Sequence, residues 1–197
     1  DEQYLFTGDE NTGGHVKVWD ISDYGNINLV AEYMTNPSHS AHNLYVRPDT
    51  NLLIISYYAD GTRILDISDP MNPIEVAYYD TSPMSGGNFD GCWGAYPYTK
   101  NNYVYASDMQ TGLFVLEFNN LAAGWIVGTI SNGVKPLPNI TIKSSLNEKT
   151  FFSNTLGEFY FGFPSGEQEF EFILNDNIIS TQTIYIAPHT TTQINIF

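Results

Sequence analysis

The chain has 197 residues, 22 of them acidic and seven basic, for a formal net charge of −15. That balance excludes nucleic acid and anionic lipid, which are held by clustered Lys and Arg, while 42% hydrophobic and 15% aromatic residues exclude a disordered chain. Cys92 is the only cysteine, so no intrachain disulfide forms, and no apolar run approaches the roughly 18–20 residues that span a bilayer; no membrane insertion is expected within this segment.

Three phrases of one kind fill the first 120 residues: YLFTGDENTGGHVKVWDIS at 4–22, LLIISYYADGTRILDIS at 52–68 and YVYASDMQTGLFVLEFN at 103–119. Each joins an apolar β-rich run to a second, alternating run through a short Gly-containing turn, which is the signature of a β-hairpin. Gly14, Gly61 and Gly112 fall at the turns, where a positive φ or a bulge favours glycine. The last two copies match further upstream. Residues 42–61 and 93–112 align without a gap, placing Tyr45 on Tyr96 and Ser56 on Ser107. The spacing between copies lies in the range of roughly 40–50 residues of four-stranded propeller blades. No stretch has a helical period. Residues 1–120 are therefore expected to form partial β-propeller blades, three hairpin repeats in an incomplete array. Three units are too few for a ring of at least about four blades, so further blades are expected before Asp1 or in another chain.

The texture changes after a connector at 119–124 (NNLAAG). Seven short runs follow, at 125–131, 139–144, 149–153, 158–163, 168–174, 180–186 and 191–197. Phe159, Phe161 and Phe163 alternate with polar or small residues, as do Phe170 and Phe172 with Glu169 and Glu171, so one face is apolar and the other wet. The expectation for 121–197 is a seven-stranded β-sandwich, and for the whole chain an all-β fold.

The segments VWDISD, ILDISDPMNPIEVAYYDT and FDGCWGAYPYTKNNYVYASDMQTGLFVLEF resemble the LVIVD-repeat propellers of bacterial surface proteins, and more narrowly the choice-of-anchor B group. The resemblance covers residues 3–118. It is carried by Asp66-Ile67-Ser68-Asp69-Pro70 with Pro73, and by Trp93-Gly94, Ser107-Asp108 and Gly112-Leu113. The third copy departs from it, reading Leu116-Glu117-Phe118-Asn119 where the others have Asp-Ile-Ser, as a terminal blade would. The tail resembles the carboxypeptidase regulatory-like domain, a transthyretin-like sandwich. Gly128, Gly133, Pro136, Leu137, Asn154, Gly157, Phe159, Phe161, Pro164 and Gly166 stand where that pattern puts its turns and core. These resemblances imply an extracellular or bacterial cell-surface protein, a non-catalytic spacer in the tail, and no catalytic residue.

The candidate site residues fall into four groups. Asp9 (beside Glu10 and Asn11), Asp60 and Asp108 precede the hairpin glycines and supply oxygen ligands of the kind calcium takes. No Asp-x-Asp-x-Asp-Gly loop is present, however, and Asp before Gly is ordinary turn chemistry, so no cofactor is expected. Tyr57, Tyr58, Trp93 and Tyr96 are candidates for an aromatic platform binding a protein or carbohydrate ligand, with packing between blades the favoured reading. His39 and His42 have the spacing of a ligand pair, but no Glu or Cys stands nearby at ligand spacing; His42 is read as a packing residue, since Trp93 is its equivalent. No Gly-x-Ser-x-Gly elbow occurs, and Cys92 has no local base, so the chain is not read as an enzyme. The expected function is a secreted or cell-surface, adhesion-type binding scaffold. The alternative is a propeller-type hydrolase or lyase whose catalytic blades lie outside this segment.

Overall fold

The computed structural model describes residues 3–82, 89–119, 121–147 and 149–197. The chain divides into two compact units, Asp1–Leu121 and Ala122–Phe197; Asn120, the expected boundary residue, lies outside the described residues. The fold is all-β, with no helix among the described residues and no sheet closed on itself.

The first unit holds three antiparallel sheets, in each of which a predicted hairpin is extended by at least one further strand. The first sheet is β1 (Tyr4–Gly8), β2 (Val16–Asp20) and β3 (Asn28–Tyr33). The second is β4 (Leu44–Arg47), β5 (Leu52–Ser56), β6 (Thr62–Asp66) and β7 (Ile74–Tyr79). The third is β8 (Cys92–Tyr96), β9 (Tyr103–Asp108) and β10 (Gly112–Glu117).

The three sheets share one register. Leu44 faces Ile55 and Leu53 faces Leu65 in the second sheet, and their counterparts pair alike in the third, Ala95 with Ala106 and Val104 with Leu116. The first sheet matches the second along its last two strands. Both carry a bulge at one position, between Val18 and Trp19 and between Ile64 and Leu65. Each hairpin is closed by the same backbone bond, from Ile21 to Gln3, Ile67 to Asn51 and Phe118 to Asn102. The Asp-Ile-Ser phrase has a mechanical role. Asp20 and Asp66 each accept a bond from the N–H of the serine two residues on, and Asp23 and Asp69 do the same for Gly25 and Met71. These Asx turns redirect the chain toward β3 and β7; the third copy has Glu117 and Asn119 instead of Asp and Ser.

Turn chemistry departs from expectation in the first hairpin. Gly61 and Gly112 have positive φ, but there the positive φ belongs to Gly13 (74°) and not to Gly14. Gly14 is required for another reason: a Cβ there would sit 1.8 Å from the Asp9 carbonyl oxygen.

Side-chain alternation along β5 explains its unbroken LLII run. Leu53 and Ile55 pack with Val16, Leu65 and Tyr57 in a core between the first and second sheets. Leu52 and Ile54 point the other way and pack with Ala95, Val104 and Phe118 between the second and third. Each of these four side chains is fully buried, and each such burial stabilises by roughly 1.5–3 kcal/mol.

In the second unit every predicted run carries a strand: β11 (Ala123–Ile130), β12 (Thr141–Ser144), β13 (Thr150–Phe152), β14 (Glu158–Pro164), β15 (Gly166–Leu174), β16 (Asn177–Ile186) and β17 (Thr191–Ile196). They form two sheets, ordered β14-β11-β17 and β13-β12-β15-β16, with β11 and β17 parallel and all other pairs antiparallel. Both sheets contribute to one core, Phe159, Phe161 and Phe163 from the first meeting Ile142, Phe170 and Phe172 from the second.

Candidate functional site

Apart from Tyr96, which lies at the other end of β8, the sequence candidates of the first unit sit toward the hairpin-turn ends of its sheets, and each acidic one has its own partner. Lys17 Nζ donates to Asp9 Oδ2 at 2.5 Å. Asp60 Oδ2 accepts from the Thr35 hydroxyl at 2.5 Å and meets His39 Nδ1 at 2.9 Å, with Arg63 3.6 Å from its other oxygen. Asp108 is buried. Burial pushes its carboxyl up, but the N–H groups of Thr111 and Gln110 and the Thr81 hydroxyl outweigh that and hold it below the usual range. No group of three or more His, Cys, Asp or Glu that could hold a metal occurs among the described residues. Asp108 anchors its own turn, Asp9 ties its turn to Lys17 of β2, and Asp60 ties its turn to Thr35 and His39.

The aromatic candidates divide by burial. Tyr57 is fully buried, its hydroxyl donating to the Gly14 carbonyl at 3.2 Å and its ring edge-on to Tyr33. Tyr58 is equally buried and adopts a φ of 37°, uncommon for a residue with a Cβ. Its hydroxyl donates to Glu10 at 2.5 Å, and burial together with that carboxylate keeps the phenol protonated. Trp93 and Tyr96 are half exposed. Burial thus removes Tyr57 and Tyr58 from any surface platform and assigns them to packing.

His42 and Trp93, equivalent positions in neighbouring sheets, touch each other: their rings lie 4.4 Å apart, and His42 also packs 4.8 Å from Tyr58. His42 Nδ1 is 3.4 Å from Glu10, whereas His39 faces Asp60, so the two histidines serve different carboxylates. Sequence reasoning missed Glu10 as the group that joins Tyr58 to His42, and Phe89, which packs edge-on to Tyr58. No repeat position signals either.

Cys92 is buried, with Thr62 Oγ1 3.5 Å from its sulfur and the sulfur 3.6 Å from the Gly94 carbonyl. Burial pushes its thiol up to about 11, so it stays neutral and is no nucleophile near neutral pH. A further, partly buried polar set lies between the first two sheets, where the Tyr33 hydroxyl donates to Glu75 and Arg63 is 3.6 Å from the same carboxylate. Arg63 also covers the Tyr78 ring at 4.7 Å. These groups cross-link sheets.

Residues 57–81 match the LVIVD repeat. The matched stretch runs from the β5–β6 turn through β6 and β7. No curated protein matches the chain. The LVIVD segment therefore supplies β6 and β7, two of the four strands of the second sheet.

Proposed function

We propose that this chain is a non-enzymatic binding scaffold of the secreted or cell-surface, adhesion type. In this reading the first unit is a run of LVIVD-type blades from a partial β-propeller. The second is a carboxypeptidase regulatory-like, transthyretin-like β-sandwich that serves as a spacer. The shared register of the three sheets and the LVIVD match support the blade reading. Two sheets over one core support the sandwich. The choice-of-anchor B type and a bacterial surface location rest on the sequence resemblance.

One observation carries the proposal, the outer face of β8–β10. Its residues Tyr96, Tyr105, Leu113 and Val115 occupy the register positions of Tyr45, Ile54, Thr62 and Ile64 in the second sheet. In the second sheet that face packs on the third. In the third it is open, with Leu113 70% and Val115 58% exposed. An apolar face at the position of a packing face is built to receive another sheet of the same repeat.

The test is self-association of the full chain and its uptake of a hydrophobic dye. Both are expected to rise with concentration and to be lost in a Leu113→Asp, Val115→Asp variant whose melting temperature is unchanged. A panel of glycans and esters is expected to show no turnover. A monodisperse chain that takes up no dye overturns the open-face argument, and reproducible hydrolysis moves the protein to the enzyme class.

A further inference from the structure

The second unit carries a groove that the scaffold reading does not use. On the outer face of β14-β11-β17, register sets Val127 beside Tyr160 and Gln193, and Thr129 beside Glu158 and Asn195. With Phe152 and Asn154 from the neighbouring strand and turn, these residues line an open cavity of 530 Å³. Small-molecule sites span about 300–1,000 Å³.

Two aromatic rings stand in this groove, Tyr160 at 62% and Phe152 at 65% exposed. Tyr160 is stacked on Trp125 with centroids 5.2 Å apart and planes within 4°. One face of the tyrosine is therefore fixed against tryptophan while the opposite face is open. A rigid, exposed ring face offers contact area at little cost in side-chain entropy.

The polar groups around it are oriented. Thr129 Oγ1 donates to Asn195 Oδ1 at 2.9 Å, which leaves the Asn195 amide NH₂ as a donor for a ligand. Asn154 Nδ2 donates to Glu158 Oε2 at 2.9 Å, and Asn154 Oδ1 is occupied by the N–H groups of Leu156 and Glu158. Glu158 Oε1 and the Gln193 carboxamide have no hydrogen-bond partner among the described residues, so the groove offers acceptors as well as donors.

We propose that this groove binds a neutral oligosaccharide, a pyranose ring lying against the open face of Tyr160 with its hydroxyls meeting Asn195, Gln193 and Glu158. The axial C–H groups of a sugar suit the negative face of an aromatic ring, and hydroxyls both give and accept hydrogen bonds, as this set requires. Neither Lys nor Arg lines the groove, and the chain carries −15, so an anionic sugar is disfavoured. Glu158 is the sole carboxylate among the lining residues, without the paired acid that glycoside hydrolysis uses, so the site binds and does not cleave.

The full chain is titrated calorimetrically with neutral hexasaccharides of glucose, xylose and mannose, with polygalacturonate as the anionic comparison. At least one neutral hexasaccharide is expected to bind, and polygalacturonate is not. Tyr160→Ala weakens binding by at least about tenfold, Tyr160→Phe retains it, and Gln193→Ala weakens it while leaving the melting temperature unchanged. Tyr96→Ala in the first unit and the Leu113→Asp, Val115→Asp variant leave it intact, which separates this site from the scaffold reading. Binding by none of the neutral sugars, preference for polygalacturonate, or binding undiminished in both Tyr160→Ala and Gln193→Ala overturns the proposal.

Discussion

Ile54→Ala tests the packing of β5 between two cores. Ile54 is fully buried between the second and third sheets, and Ile55, next along the strand, is fully buried between the first and second. Truncating either removes packed atoms and leaves a cavity, at a cost of about 2–5 kcal/mol. Tyr105 holds the same register position as Ile54 but lies on the open face of the third sheet, so Tyr105→Ala costs roughly 1 kcal/mol or less. The milder Ile54→Val and Ile55→Val, each about 0.5–1.5 kcal/mol, are expected to add within about 0.5 kcal/mol, because side chains in separate cores share no partners. The assay is urea unfolding of the full chain in a Trp125→Phe background, where fluorescence comes from Trp19 and Trp93 of the first unit alone. Equal costs for Ile54→Ala and Tyr105→Ala, or a coupling above about 1 kcal/mol between the two valine variants, would refute the two-core account.

Other expectations are quick to check. Gly61→Ala destabilises more than Gly112→Ala in thermal melts: both have positive φ, worth roughly 1–2 kcal/mol, but only at Gly61 does a Cβ meet backbone, the Tyr79 oxygen at 2.2 Å. His15 bonds Glu32 at 2.9 Å, chiefly through which its pKa is raised above 6.5. That contribution is complete below pH 6.5 and fades as pH climbs through the raised value, so the melting temperature falls across this window and Glu32→Gln flattens the fall. Cys92 resists a thiol reagent at pH 8 in the native chain and labels fully in denaturant; rapid native labelling would contradict its burial and its pKa of about 11.

The hairpins and the seven strands of the second unit were legible because alternation and turn glycines are local signals. Strands β3 and β7 were harder to read: in NLVAEY and IEVAYY no residue is fully buried, so neither face stands out. The interchange of Gly13 and Gly14 was hidden because two adjacent glycines satisfy the turn rule equally, and only the approach of the Asp9 carbonyl separates them. Burial of Tyr57 and Tyr58 depends on the next sheet, which sequence places only once stacking is assumed. The Tyr160 groove draws on β11, β13, β14 and β17, residues 127 to 195 in sequence, and no local pattern unites them.

The parallel pairing of β11 with β17 ties the opening strand of the second unit to its closing one. A chain emerging from the ribosome at about 5–20 residues per second makes β11 and then waits roughly 3–15 s before its last neighbour exists. Through that interval β11, destined to be the middle of its sheet, has one flank unpaired, a template for strands of other nascent chains. A cut that detaches β17 would recreate the same exposed flank in a folded molecule. Loss of β17 therefore threatens this unit far more than an equal loss from any of its surface turns.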